Sequence, residues 1–184
     1  TNSVGGCNIR ILESRDTSRP PGLFAIAGNI IGSQENNVHL TGCYGIVLSG
    51  NTIYSCIERN LWIEDSSQIT VGTNLFRRHT PSYGCGVLLT GSENILLSGC
   101  TFEDEAEGGQ KSGYPLLEIA DSRRVTISGN QLINSIKEGV KLTNCQQINL
   151  SGNTIVDTRD KPLMTQTVGQ YGQCDKIQSS GELS

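Results

Sequence analysis

The chain has 184 residues, a formal net charge of -4, 35% hydrophobic residues and 5% aromatic ones. That length suits one domain with a real core. It carries no basic run to track a phosphate backbone, and no stretch approaches the roughly 18 apolar residues of a membrane span, which argues against a nucleic-acid partner and a membrane span.

Residues 1–35 read as a degenerate repeat: Ile9-Arg10-Ile11 as a first strand, then a surface-loop insertion from Leu12 to Gly22, then Phe24 to Ile31 as second strand, corner and third strand. Clearer copies follow at Asn37–Ile53, Asn60–Phe76, Gly86–Phe102, Leu116–Leu132 and Gly139–Ile155. Each alternates apolar and polar residues over short runs broken by Asn and Gly, a strand signal that recurs often enough to decide the fold. The first core residues are Ile9, Val38, Leu61, Val87, Leu117 and Val140, and a second core column holds Ile46, Ile69, Ile95, Val125 and Ile148. In the last five copies the length varies only between third and first strands, in Tyr54–Arg59, Arg77–Cys85, Glu103–Pro115 and Asn134–Glu138. Insertions confined to one edge of a repeat mark a working face.

Three short strands without intervening helices cannot pair within one repeat. They pair with their equivalents one turn on, giving an all-β parallel coil of three sheets and about six turns. Asn at the Gly-Asn corner tolerates a left-handed bend, and stacked Asn side chains then form a ladder along the axis. This pattern resembles the right-handed parallel β-helix of the pectate lyase-like superfamily over Gly6–Ile155. The reading places β-helix coils in residues 1–155 and an irregular C-terminal cap or tail in residues 156–184. It also expects upstream β-helix coils of the same protein, with this chain as the C-terminal part.

Seven cysteines do not imply a disulfide framework. Cys43 and Cys145 share a corner column with Ser66, Ser92 and Ser122, and Cys100 occupies the slot of Asn51, Asn74, Asn130 and Asn153, so the thiols are expected to be mostly free. Cys56 and Cys85 are the one pair placed to meet.

The outward residues of successive first strands are Arg10, His39, Trp62, Leu88, Glu118 and Lys141, a stripe rich in charge that also holds the single Trp. The second-strand column, Ala25, Val47, Thr70, Leu96, Thr126 and Asn149, is bland by comparison. The resemblance implies a polysaccharide groove along the first-strand sheet, with lyase- or hydrolase-like chemistry. Lys141 and Glu118 are then the catalytic candidates, Lys141 as proton acceptor, although the pair reads first as a cross-strand ion pair and Glu118 favours the charged form of Lys141. Trp62, His39 and Arg10 are the substrate-binding candidates, with Trp62 either a sugar-stacking platform or covered by the Arg77–Cys85 loop. No resident cofactor is implied; Ca²⁺ on the acidic run Glu103–Glu107 is an option, and no Cys/His spacing suits zinc. The alternative to an enzyme is a non-catalytic carbohydrate-binding or structural segment of a larger secreted or cell-surface protein; either reading places it outside the cell. The Asp motifs of polygalacturonase-like hydrolases and the Asp-Pro-His-Asp of alginate epimerases are absent from the sequence.

Overall fold

The structure, a computed structural model, describes residues 6–12, 22–78, 83–104 and 113–181. Most of the Leu12–Gly22 insertion, the middle of the Arg77–Cys85 loop and residues 105–112 of the long loop lie outside the described residues.

Every named strand pair is parallel. The first strands of successive turns are β1 (Cys7–Ile11), the second halves of β3 (Ile30–Thr41) and β5 (Thr52–Glu64), then β8 (Val87–Thr90), β11 (Leu117–Ala120), β14 (Lys137–Thr143) and β17 (Met164–Tyr171). The second strands form a 7-stranded sheet from β2 (Gly22–Ala27), β4 (Tyr44–Ser49), β6 (Ser67–Gly72), β9 (Glu93–Ser98), β12 (Arg123–Ser128), β15 (Gln146–Ser151) and β18 (Asp175–Ser180). The third strands are the first halves of β3 and β5, with β7 (Leu75–Arg77), β10 (Thr101–Glu103), β13 (Gln131–Ile133) and β16 (Thr154–Val156). Because β3 and β5 run on from third strand into first, those two walls join as one hydrogen-bonded sheet. The described residues contain no helix, and so none long and apolar enough to cross a membrane.

The core is a set of stacked columns. Ile9, Val38, Leu61, Val87, Leu117, Val140 and Val168 lie in register, as do Ile69, Ile95, Val125, Ile148 and Ile177. The third wall adds Phe76 stacked on Phe102, with ring centroids 5.0 Å apart. Each fully buried side chain of this size contributes about 1.5–3 kcal/mol.

Two ladders bind the corners. In the Asn column, the backbone N–H of Asn51 donates to Asn74 Oδ1 at 3.0 Å, that of Cys100 to Asn130 Oδ1 at 2.9 Å, and that of Asn130 to Asn153 Oδ1 at 3.0 Å. In the Ser/Cys column, the N–H groups of Cys43, Ser66 and Ser92 donate to the hydroxyls of Ser66, Ser92 and Ser122 at 3.0–3.1 Å. The Asn residues do not make the bend. The left-handed backbone belongs to the residue before each Asn, Gly50, Thr73, Gly129 or Gly152 (and Gly99 before Cys100), and the Asn side chain then feeds the ladder. Among the described residues no cysteine forms a disulfide; Cys56 makes a backbone bridge with Gly84, next to Cys85, without a bond between the two sulfurs.

The tail expected to be irregular is not so. After Val156 a loop is clamped by Asp157, whose carboxylate accepts hydrogen bonds from Arg159 and from the N–H groups of Leu163 and Met164. Then β17 and β18 add a further turn in register with β14 and β15. Its sequence reads as polar for a physical reason: Val168 and Ile177 keep one core column each, while Gln170 and Ser179 occupy the slots below Leu142 and Leu150.

Candidate functional site

The outward stripe stacks as Arg10, His39, Trp62, Leu88, Glu118, Lys141 and finally Gly169. Its residues divide between two neighbourhoods.

At the upstream end, His39 and Trp62 stack nearly parallel, with centroids 4.3 Å apart. His39 Nε2 lies 3.3 Å from Glu64 Oε2 and 3.1 Å from Thr41 Oγ1. Burial lowers the His39 pKa and outweighs Glu64, which favours the charged form. Trp62 donates its indole N–H to Thr90 Oγ1 at 3.3 Å. One face of Trp62 is therefore occupied by His39, and only the remainder of this half-buried ring is left for a sugar. Arg10, His39 and Trp62 share a cleft of about 270 Å³ with Gly6, Cys7, Glu35 and Asn36.

Downstream, Glu118 holds two cations. Its Oε1 accepts from Lys141 Nζ at 2.7 Å and its Oε2 from Arg59 Nη2 at 2.8 Å, with the Glu118 side chain 14% exposed. Burial pushes the Glu118 pKa up, but the hydrogen bonds from Lys141 and Arg59 outweigh it and hold the carboxyl below its ordinary value. Glu118 is thus ionised and engaged on both oxygens. Arg59 comes from β5 and crosses the turn of Leu88 to reach β11, a span of about 10 Å at the strand spacing. The ring of Tyr114 lies over its guanidinium, 3.4 Å from Cζ to the centroid.

Beyond that bridge lies a second cleft, about 470 Å³, lined by Gly113, Tyr114, Pro115, Lys137, Glu138, Lys141, Thr143 and Tyr171. Lys141 Nζ stands 5.9 Å from the centre of the Tyr171 ring. Tyr171 donates its hydroxyl to Glu138 Oε1, and this bond raises the Tyr171 pKa and keeps the phenol protonated. The two clefts share no lining residue, so the structure brings Arg10, His39 and Trp62 together in one and puts Lys141 in the other.

A third cleft, about 600 Å³, follows the first corner past Asp65, Glu93, Asp121 and Arg123. Three of its hydroxyls are spent on the fold: Ser66, Ser92 and Ser122 each donate to a backbone carbonyl and accept from the neighbouring turn. No group of three His, Cys, Asp or Glu side chains able to hold a metal occurs among the described residues. Of the acidic run, Asp104 is buried against Arg78 at 2.7 Å, and Glu105–Glu107 lie outside the described residues.

Sequence reasoning missed Arg59, Tyr114, Glu138 and Tyr171. The first three sit in, or at the end of, the variable segments marked as the working face, where no register singles out one residue. Tyr171 belongs to the turn read as tail, two residues past Gly169 in the stripe.

The family described as "right handed beta helix region" matches residues 8–179. The chain belongs to that family. The right-handed β-helix expected from the repeat is the fold, and the match runs through β17 and most of β18. Two solved structures are similar. Alginate lyase from Paenibacillus sp. str. FPU-7 superposes with a TM-score of 0.64 at 10% identity, over 98% of this chain and 77% of that one. The enzymatically active domain of Bacteriophage CBA120 tailspike protein 2 gives 0.44 at 14% identity, over 82% of this chain and 24% of that one. No curated protein matches the chain. At these identities the likeness concerns the β-helix fold, and the chemistry has to be argued from the clefts.

Proposed function

We propose that this β-helix binds an acidic polysaccharide along its first-strand face, outside the cell, and cleaves it by β-elimination in the cleft of Lys141 and Tyr171. The observation that carries the reading is that cleft: an amine and a protonated phenol stand side by side on a face whose repeat matches an extended polymer. In a uronate chain, elimination removes the proton beside the carboxylate and expels the oxygen at the neighbouring carbon. Lys141, held as a cation by its ion pair with Glu118, first releases a proton to solvent; as the amine it then accepts the proton from the sugar, and Tyr171 gives its hydroxyl proton to the departing oxygen. Glu118 is a positioning residue that fixes Lys141, and Arg10, His39 and Trp62 supply a remote subsite. Further coils upstream of β1 would lengthen the groove. That a structurally similar protein is an alginate lyase agrees with this choice. Hydrolysis fits less well, because it needs two working carboxyl groups, and Glu118 and Glu138 are both engaged.

The second reading, a non-catalytic binding segment, is favoured by the 2.7 Å ion pair that ties Lys141 to Glu118. Incubation with a panel of polyuronates, followed by ultraviolet absorbance of the unsaturated product, separates the two. Elimination predicts product from the parent and at least about 100-fold less from Lys141→Met and Tyr171→Phe. Binding without product leaves the second reading, and no binding to any acidic polymer removes both.

A further inference from the structure

We propose that Arg59 is a carboxylate-recognition residue kept under a cover by Tyr114, and that displacement of this ring joins the two clefts into one groove. This inference rests on the polysaccharide reading above. The Arg59 side chain is 10% exposed, and Nη2 is used on Glu118. Nη1 is buried and has no hydrogen-bond partner among the described residues. A buried guanidinium N–H left unpaired is costly and stands ready for an oxygen acceptor. The planar fork presents paired N–H groups suited to a carboxylate.

The position gives that acceptor a purpose. Arg59 lies between the Trp62 cleft and the Lys141 cleft, and Tyr114, which lines the second, lies across its guanidinium. Tyr114 reaches there from Gly113–Pro115, the close of the longest variable segment, and donates its hydroxyl to the carbonyl of Glu58. A polymer that spans both clefts has to pass this point. Moving the ring exposes Nη1 where a uronate carboxylate would sit, one or two sugars from Lys141. The cation–π contact given up is worth only a few-fold in affinity, less than a new charge-assisted hydrogen bond returns.

The test compares a polyuronate with the same polymer after reduction of its carboxylates to alcohols, measuring affinity for the parent, Arg59→Lys and Tyr114→Ala. Arg59→Lys keeps a positive charge for Glu118 but loses the fork. It should weaken the acidic polymer about 10-fold or more and leave the reduced one unchanged. Tyr114→Ala should tighten the acidic polymer about two- to fivefold, with no gain for the reduced form. Equal losses on both polymers with Arg59→Lys would overturn the assignment, because a purely structural role affects both alike. Weakening of both by Tyr114→Ala would overturn the cover and make the ring a sugar platform. If the parent binds the acidic polymer and neither variant changes it, this inference fails while the polysaccharide reading stands; if the parent binds neither polymer, both fail.

Discussion

Replacing Asn130 by Ala isolates what the corner ladder contributes. Asn130 is 1% exposed in the middle of its column. Its Oδ1 accepts from the N–H of Cys100 at 2.9 Å, and its Nδ2 donates to Leu97 O at 3.1 Å and Asn153 Oδ1 at 3.0 Å. The Ala variant leaves the Cys100 N–H and one bond to the Leu97 carbonyl unmade, while Asn153 Oδ1 keeps the backbone N–H of residue 130. Two buried backbone groups at about 1–3 kcal/mol each place the loss near 2–6 kcal/mol. For a domain of this size that corresponds to a melting temperature lower by about 4–24 °C. Asn29 is the control: it is exposed at the first turn, and its Nδ2 donates to Ala27 O and Asn51 Oδ1. Asn29→Ala should cost under about 1 kcal/mol, since water can replace its bonds. Urea unfolding of both variants with unchanged m-values gives the comparison. Equal, small losses at the two positions would refute the ladder argument.

Cys100 interrupts that ladder: Asn74 Nδ2 donates to Leu48 O and Gly72 O, and toward the next turn it meets the Cys100 sulfur at 4.0 Å where the other turns offer an amide oxygen. Cys100→Asn should therefore raise stability by about 0.5–1.5 kcal/mol in the same urea assay; a loss would mean that the slot cannot hold the extra atoms. The Asp157 side chain is 4% exposed, and that burial raises its pKa, but the bonds from Arg159 and the N–H groups of Met164 and Leu163 dominate and lower it strongly. A depressed carboxyl contributes stability above its unfolded value of about 3.9 and loses it as pH falls through the lower folded value. Below about pH 4 the parent should lose melting temperature more steeply than Asp157→Asn, and parallel curves would contradict the clamp. Glu118→Gln removes the anion between Lys141 and Arg59, so it should lower turnover more than polymer affinity; equal loss in both would make Glu118 a binding group.

The fold was legible because its signal is periodic. Val38, Leu61, Val87, Leu117 and Val140 announce their register through alternation, and the structure stacks them so. The last turn escaped because its apolar content is halved: Gln170 and Ser179 face slots that hold Leu142 and Leu150 one turn earlier. The stripe from Arg10 to Lys141 was also legible, since strand alternation fixes which residues point outward. Its division was not. The Arg59–Glu118 bond joins residues 59 positions apart, and Tyr114 enters from a segment of no fixed length. Side chains that cross turns leave no periodic trace, and the occupied face of Trp62 depends on the identity of one neighbour, His39.

A structure of the protein with an acidic oligosaccharide tests the central claim most directly. The account predicts the sugar on the first-strand face, with a reacting ring between Lys141 Nζ and the Tyr171 hydroxyl. Sugar lodged instead in the corner cleft of Asp65, Asp121 and Arg123, or on the second-strand sheet, with the Lys141 cleft empty, would contradict it.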